Sequence, residues 1–175
     1  HRIDGNQLMG EFGSFITTAD FNGDGRPDLA IGAPLVDIGT IQDAGAIYIF
    51  FNQGAPNYYV TSATNANQTI SAGGVDEGFG VNILPVDVNG DGSVDLVVGS
   101  PLYSPSVALL SAGAVYIFIN NGLGSFPTTT ASASQTIVGA QAGMQFGSCI
   151  DVADLGLDGD VDLIGGAPFF NPGSA

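Results

Sequence analysis

Asp20-Phe-Asn-Gly-Asp-Gly-Arg-Pro-Asp28 is an aspartate-rich loop between two apolar runs. The chain writes it twice more, as Asp87-Val-Asn-Gly-Asp-Gly-Ser-Val-Asp95 and Asp154-Leu-Gly-Leu-Asp-Gly-Asp-Val-Asp162. The step is 67 residues both times. Other landmarks keep it: Phe12-Gly13, Phe79-Gly80 and Phe146-Gly147; Gly32, Gly99 and Gly166; Pro34, Pro101 and Pro168; Ile3, Ile70 and Ile137. A constant period of this size marks a repeat architecture, in which each unit buries its apolar face only against its neighbours.

Within a repeat the pattern reads as short strands separated by turn residues, with no helical periodicity long enough to pack. The first run covers residues 12–21 and the second 28–32. The third is Ala46-Ile-Tyr-Ile-Phe-Phe51, matched by Ala114-Val-Tyr-Ile-Phe-Ile119. A weaker fourth ends at Gln68-Thr69-Ile70 and again at Gln135-Thr136-Ile137. The third runs do not alternate, as expected of a sheet covered on both faces. A four-stranded sheet repeated at constant period is the blade of a β-propeller. The glycines after Phe12, Phe79 and Phe146 predict close backbone approach near a crowded axis, with the phenylalanines packed between blades.

The expected fold is therefore all-β: four-stranded antiparallel blades forming a partial propeller of about two and a half repeats. Residues 1–175 make one propeller segment, with repeats at approximately 3–69, 70–136 and a truncated 137–175. The third lacks its third and fourth strands, and two and a half blades do not close a ring. That predicts either a piece of a larger propeller or open ends completed by another copy.

The loops are the chemistry. A hard divalent cation such as Ca²⁺ takes six to eight oxygens, and a short loop supplies them from alternating positions plus a backbone carbonyl. In the first loop the candidates are Asp20, Asn22, Asp24, the carbonyl of Arg26 and Asp28, with Gly25 letting the backbone turn back. In the second they are Asp87, Asn89, Asp91, the carbonyl of Ser93 and Asp95, around Gly92. In the third, Gly156 replaces the Asn, leaving Asp154, Asp158, the carbonyl of Asp160 and Asp162, and a weaker site completed by water. About three Ca²⁺ are expected, one per repeat. An EF-hand is excluded, because its loop needs flanking helices and a Glu at position twelve, where this chain has Ile31, Val98 and Gly165.

Composition narrows the partners. Lys+Arg number 2 against 17 Asp+Glu, for a net charge of −15. Ten of those acids lie in the three loops, and three divalent ions would bring the charge to −9. So few cations cannot make the phosphate contacts that dominate nucleic-acid binding, and no apolar run is long enough to span a bilayer as a helix. With 45% hydrophobic residues the chain can still build a core. It opens at His1 without Met, the expectation for a processed protein or a segment of a longer one, so a targeting signal would lie outside this sequence. The lone Cys149 excludes an internal disulfide and reads as a small apolar side chain. Asn67-Gln68-Thr69 matches the glycosylation sequon, and residues 61–64 and 128–134 are rich in Ser and Thr. These suit an exported chain.

Phe-Gly, then Asp-x-Asn-x-Asp-Gly-x-x-Asp, then Gly-Ala-Pro, then Ala-Gly-Ala-Ile/Val-Tyr-Ile-Phe closely resembles the FG-GAP repeat of integrin α-subunit propellers and related extracellular proteins. The resemblance covers essentially the whole chain. Its departures are Gly99-Ser100-Pro101 in repeat two and Gly156 in repeat three. It implies seven blades when complete, calcium in hairpin loops at one face, and protein recognition by loops on the opposite face. Residues 35–43 and 102–111 would then be contact loops for a protein or glycan ligand. The leading expectation is a calcium-stabilised extracellular or cell-surface adhesion or structural module without catalysis. One alternative is a subunit of a self-assembling, glycosylated filament joined through incomplete blades; another is an accessory domain of a secreted hydrolase. The only histidine is His1 and Cys149 has no histidine elsewhere to activate it, which argues against an enzyme.

Overall fold

The computed structural model describes residues 2–56 and 58–173. His1 and the last two residues of the third repeat lie outside the described residues. Strands β1 (Phe15–Ala19), β2 (Asp28–Ala33), β3 (Ala46–Phe50) and β4 (Gln68–Ser71) form one antiparallel sheet in that order. A second follows in the same order from β5 (Asn82–Val86), β6 (Asp95–Ser100), β7 (Ala114–Phe118) and β8 (Gln135–Val138). The third sheet is the pair β9 (Cys149–Ala153) and β10 (Asp162–Gly166). Hairpin register repeats too: Ala19 pairs with Asp28, Val86 with Asp95 and Ala153 with Asp162. The repeat boundaries after residues 69 and 136 fall inside β4 and β8, because the outermost strand runs on to Ser71 and Val138.

The expected first run is longer than the strand it forms. Phe12-Gly13 sits in a turn, with Glu11 at φ 54° and Gly13 at φ 96°, and Ser14 N–H returns to the Glu11 carbonyl. At the other end Asp20 turns its carboxylate onto loop amides and stops the ladder. Phe51, read as part of the third run, instead donates its N–H to Asn67 Oδ1 at 2.8 Å. Two single 3-10 turns, Ala63–Asn65 and Thr130–Ser132, precede the fourth strands. No sequence pattern announces a one-turn helix of this kind. Among the described residues no helix is long and apolar enough to cross a membrane.

Adjacent sheets face each other, and the first strands β1, β5 and β9 are in contact from one blade to the next. The Phe-Gly and Gly-Ala-Pro motifs meet at this seam. A Cβ on Gly32 would collide with the carbonyl oxygen of Gly80, and one on Gly99 with that of Gly147. Backbone bridges Gly45–Phe79 and Gly113–Phe146 continue the seam, and Ser71–Thr129 ties the outer strand of one blade to the next. Phe79, fully buried, packs edge-on to Tyr116 at 5.7 Å and Phe118 at 6.0 Å in its own blade. It also joins Ile47, Ile49 and Ile70 of the preceding blade in one core. Buried Ile, Val and Phe side chains of this kind each contribute roughly 1.5–3 kcal/mol relative to exposure.

Candidate metal-binding loops

Each aspartate loop closes the hairpin between the first and second strands of a blade, at the opposite end of the second strand from residues 35–43 and 102–111. The leading aspartate is the hub. Asp20 Oδ1 accepts N–H groups from Gly23 (2.8 Å) and Asp24 (3.0 Å), and its Oδ2 accepts Gly25 N–H at 2.7 Å. Asp87 repeats this with Gly90, Asp91 and Gly92 at 2.8, 3.2 and 2.8 Å. Asn22 and Asn89 bridge to the fifth position, donating Nδ2–H to Asp24 and Asp91 and accepting their backbone N–H. The fifth-position carboxylate then accepts the seventh-position N–H, from Arg26 at 2.9 Å and Ser93 at 2.8 Å. Gly25 at φ 82° and Gly92 at φ 87° occupy the left-handed conformation that such a tight reversal needs.

The ninth-position aspartate has a different task. Asp28 and Asp95 are 0% exposed. Asp28 accepts Phe21 N–H at 3.0 Å and Asn52 N–H at 2.8 Å; Asp95 accepts Val88 N–H at 3.0 Å and Asn120 N–H at 2.8 Å. The carboxyl therefore ties the loop to the residue just past the third strand. Burial pushes both carboxyls above their usual range, against the lowering effect of those N–H groups, and Asp24 repels Asp28 as Asp91 and Asp87 repel Asp95.

The loops differ in the charge set against the fifth position. Arg26 folds its guanidinium onto Asp24 Oδ2 at 2.6 Å and donates Nε–H to the Asn52 carbonyl at 2.9 Å. Sequence reasoning gave this residue a carbonyl role only. In the second loop Ser93 stands there, and the Asp91 carboxyl is held below its usual range by the Ser93 N–H and by the Asn89 and Ser93 side chains.

The third loop keeps part of the frame. Asp154 accepts N–H groups of Asp158 (3.1 Å) and Gly159 (3.0 Å), Asp158 accepts that of Asp160 (3.2 Å), and Asp162 Oδ2 those of Leu155 (2.8 Å) and Gly156 (3.3 Å). Gly156 removes the amide bridge, and Leu157 stands where the other loops have Gly23 and Gly90. It does so at φ 55°, a conformation costing a side-chain residue about 1 kcal/mol. Asp162 is exposed.

In all three loops the acids turn onto backbone amides. Among the described residues, no three acidic, His or Cys side chains converge to metal-binding range. Sequence reasoning missed Asn52 and Asn120. Asn120 Nδ2 donates to Phe21 O at 2.7 Å, across the blade boundary, and to Val94 O at 3.0 Å. Their recurrence right after the third runs was the available signal. The first two loops and Asn120 together line a cleft of about 250 Å³. On the opposite side, residues 35–43 form a small hairpin, with Ile38 and Ile41 exchanging backbone hydrogen bonds of 2.9 and 3.0 Å. In 102–111, Val107 and Leu110 are exposed. Asn67 is exposed, at the start of the fourth strand.

An FG-GAP repeat model matches residues 12–50, and an FG-GAP-like repeat model matches residues 87–165. The chain is 44% identical over 102 residues to human phosphatidylinositol-glycan-specific phospholipase D, covering 58% of this chain and 12% of that protein. It is 33% identical over 172 residues to integrin alpha-PS5 of Drosophila melanogaster, 96% of this chain and 16% of that one. To human integrin alpha-IIb the identity is 32% over 175 residues, with 95% and 16% covered. The chain thus spans less than a fifth of the length of these relatives.

Proposed function

The chain belongs to the FG-GAP repeat family, and from that premise we infer that it is a calcium-stabilised propeller module of an extracellular or cell-surface protein, acting through its surfaces rather than by catalysis. The observation that carries this reading is the repeated loop frame, in which N–H groups orient the leading and fifth-position carboxylates around one turn, while in the first two loops the ninth is buried and bonded to Asn52 or Asn120. The donor set suits a hard cation, since it consists of oxygens alone; Asp20 Oδ1 and Asp87 Oδ1 already accept two N–H groups, whereas Asp20 Oδ2 and Asp87 Oδ2 accept one each and keep a further lone pair. Asp20, Asn22, Asp24, the Arg26 carbonyl and Asp28 would hold one ion. Asp87, Asn89, Asp91, the Ser93 carbonyl and Asp95 would hold a second. Asp154, Asp158, the Asp160 carbonyl and Asp162 would hold a third more weakly. A bound cation would offset the repulsion among these acids and couple blade stability to calcium concentration.

Recognition of a protein or glycan partner is assigned to residues 35–43 and 102–111, at the opposite ends of the second strands. A second reading, a non-catalytic region of a secreted hydrolase, draws on the 44% identity to the phospholipase D. Both readings share the loops, so one experiment tests their common part. Chelation lowers the thermal midpoint of the parent, and Asp24→Ala or Asp91→Ala removes part of the calcium response. A midpoint indifferent to chelator in every variant sinks the metal assignment.

A further inference from the structure

The second blade carries a groove lined by a buried carboxyl. The turn before each Phe-Gly pair has left-handed residues on both sides of one position: Met9 and Glu11 around Gly10, Asp76 and Gly78 around Glu77, Gly143 and Gln145 around Met144. That turn aims the middle residue inward, and all three are buried. Only in the second blade is the inward residue ionisable. Glu77 is 5% exposed, and among the described residues its Oε2 is the buried side-chain atom with no hydrogen-bond partner. Its backbone is held firmly: Ser100 Oγ donates to the Glu77 carbonyl at 2.9 Å, which accounts for serine in the Gly99-Ser100-Pro101 departure from Gly-Ala-Pro.

The neighbours of Glu77 depart from the repeat in the same direction. Where the second blade has Tyr103 and Thr130, the first has Val36 and Ala63 one period earlier. Tyr103 and Tyr116 meet edge-on at 5.9 Å, and with Glu77, Thr130, Thr136 and Val138 they line an open groove of about 440 Å³. Thr136 and Val138 lie on its exposed side. A buried carboxyl oxygen left without a partner is destabilising unless something meets it.

We propose that this groove binds a protonated primary amine, with Glu77 Oε2 as its anionic acceptor. One carboxylate oxygen already faces Gly74, whose N–H donates to the carboxyl. A single remaining oxygen suits a compact ammonium, whereas a guanidinium fork wants both. Hydroxyls of Tyr116 and Thr130 accept further ammonium N–H bonds, and the tyrosine rings favour a cation beside them. A divalent metal is disfavoured, since one carboxylate supplies too few charged oxygens. Burial holds the Glu77 carboxyl up at about 7, so an arriving cation gains an ionised partner at neutral pH with modest rearrangement. Residues 1–175 contain no lysine, and Arg2 and Arg26 are engaged with Asp4 and Asp24, so no lysine or arginine side chain of this segment fills the groove. The chain's charge of −15 attracts a cationic amine.

The test is a titration of the ¹⁵N-labelled chain in calcium-containing buffer at pH 7.5, following the amides of Thr130, Ala131 and Thr136. n-Butylammonium shifts them saturably, while n-butanol, its neutral counterpart, does not. Glu77→Gln weakens binding about tenfold or more. Glu77→Met, which installs the residue the third repeat uses at this position, abolishes binding with a thermal midpoint no lower than the parent's. Equal binding of Nα-acetyl-lysine amide identifies a lysine side chain as the source; its rejection alongside butylammonium binding identifies a free small amine. Butylammonium that leaves these amides unmoved, or that binds Glu77→Met as well as the parent, overturns the assignment.

Discussion

The second and third aspartate loops have nearly the same acids at the same spacing, yet they are different objects. In the second, Asp95 is sealed under the sheet and bonded to Val88 and Asn120, Asn89 braces Asp91, and Gly90 takes the left-handed turn. In the third, Gly156 provides no brace, and Leu157, 89% exposed, takes the left-handed conformation where the other loops have glycine. The difference teaches that the carboxylates do not make the loop by themselves. The frame also needs the third-position amide that braces the fifth-position acid, and glycine at the one position where the backbone turns left-handed.

The contrast breaks most sharply at the ninth position. Asp95→Ala strands the Val88 and Asn120 N–H groups and is expected to lower unfolding stability by about 3 kcal/mol, against a smaller loss for Asp91→Ala, whose oxygens accept only the loop donors of Asn89 and Ser93, in urea titrations of each variant. Similar losses at the two sites would show that the link to the third strand is idle. Next, Asn120→Ala removes a bond that crosses between blades and should cost about 2 kcal/mol, whereas Asn52→Ala, whose amide bonds to Pro27 O at 3.1 Å and Gly54 N–H at 2.9 Å stay within its own blade, should cost about 1 kcal/mol. The smallest effect sharpens the comparison from the other side. Leu157→Gly relieves the left-handed strain and should stabilise by about 0.5–1 kcal/mol, while Gly90→Leu destabilises by a comparable amount.

Much of this was legible in the sequence. The 67-residue step, the turn glycines and the unbroken apolar third runs point to stacked four-stranded blades, since period and strand burial are carried by residue type. The loops stood out for the same reason, and Phe79 lies in the interblade core where its motif places it. Contacts between repeats were not legible. Nothing in Gly32 alone says that its hydrogen faces the Gly80 carbonyl, and nothing in Asn120 that its amide reaches Phe21, 99 residues away. The limits of the first strand were also hidden, because side-chain capture of backbone amides by Asp20 competes with the ladder. Nothing in the sequence marks Glu77 as buried; the left-handed turn around it is what points it inward.

Whether these loops gather divalent ions, as proposed, is read most directly by calorimetric titration of the calcium-stripped chain with CaCl₂. The account predicts saturable binding at about three sites, the weakest about tenfold weaker than the others, with Asp91→Ala deleting a tight site and Asp158→Ala deleting the weak one. An isotherm showing no saturable binding in the parent, or one unchanged by both substitutions, would contradict it.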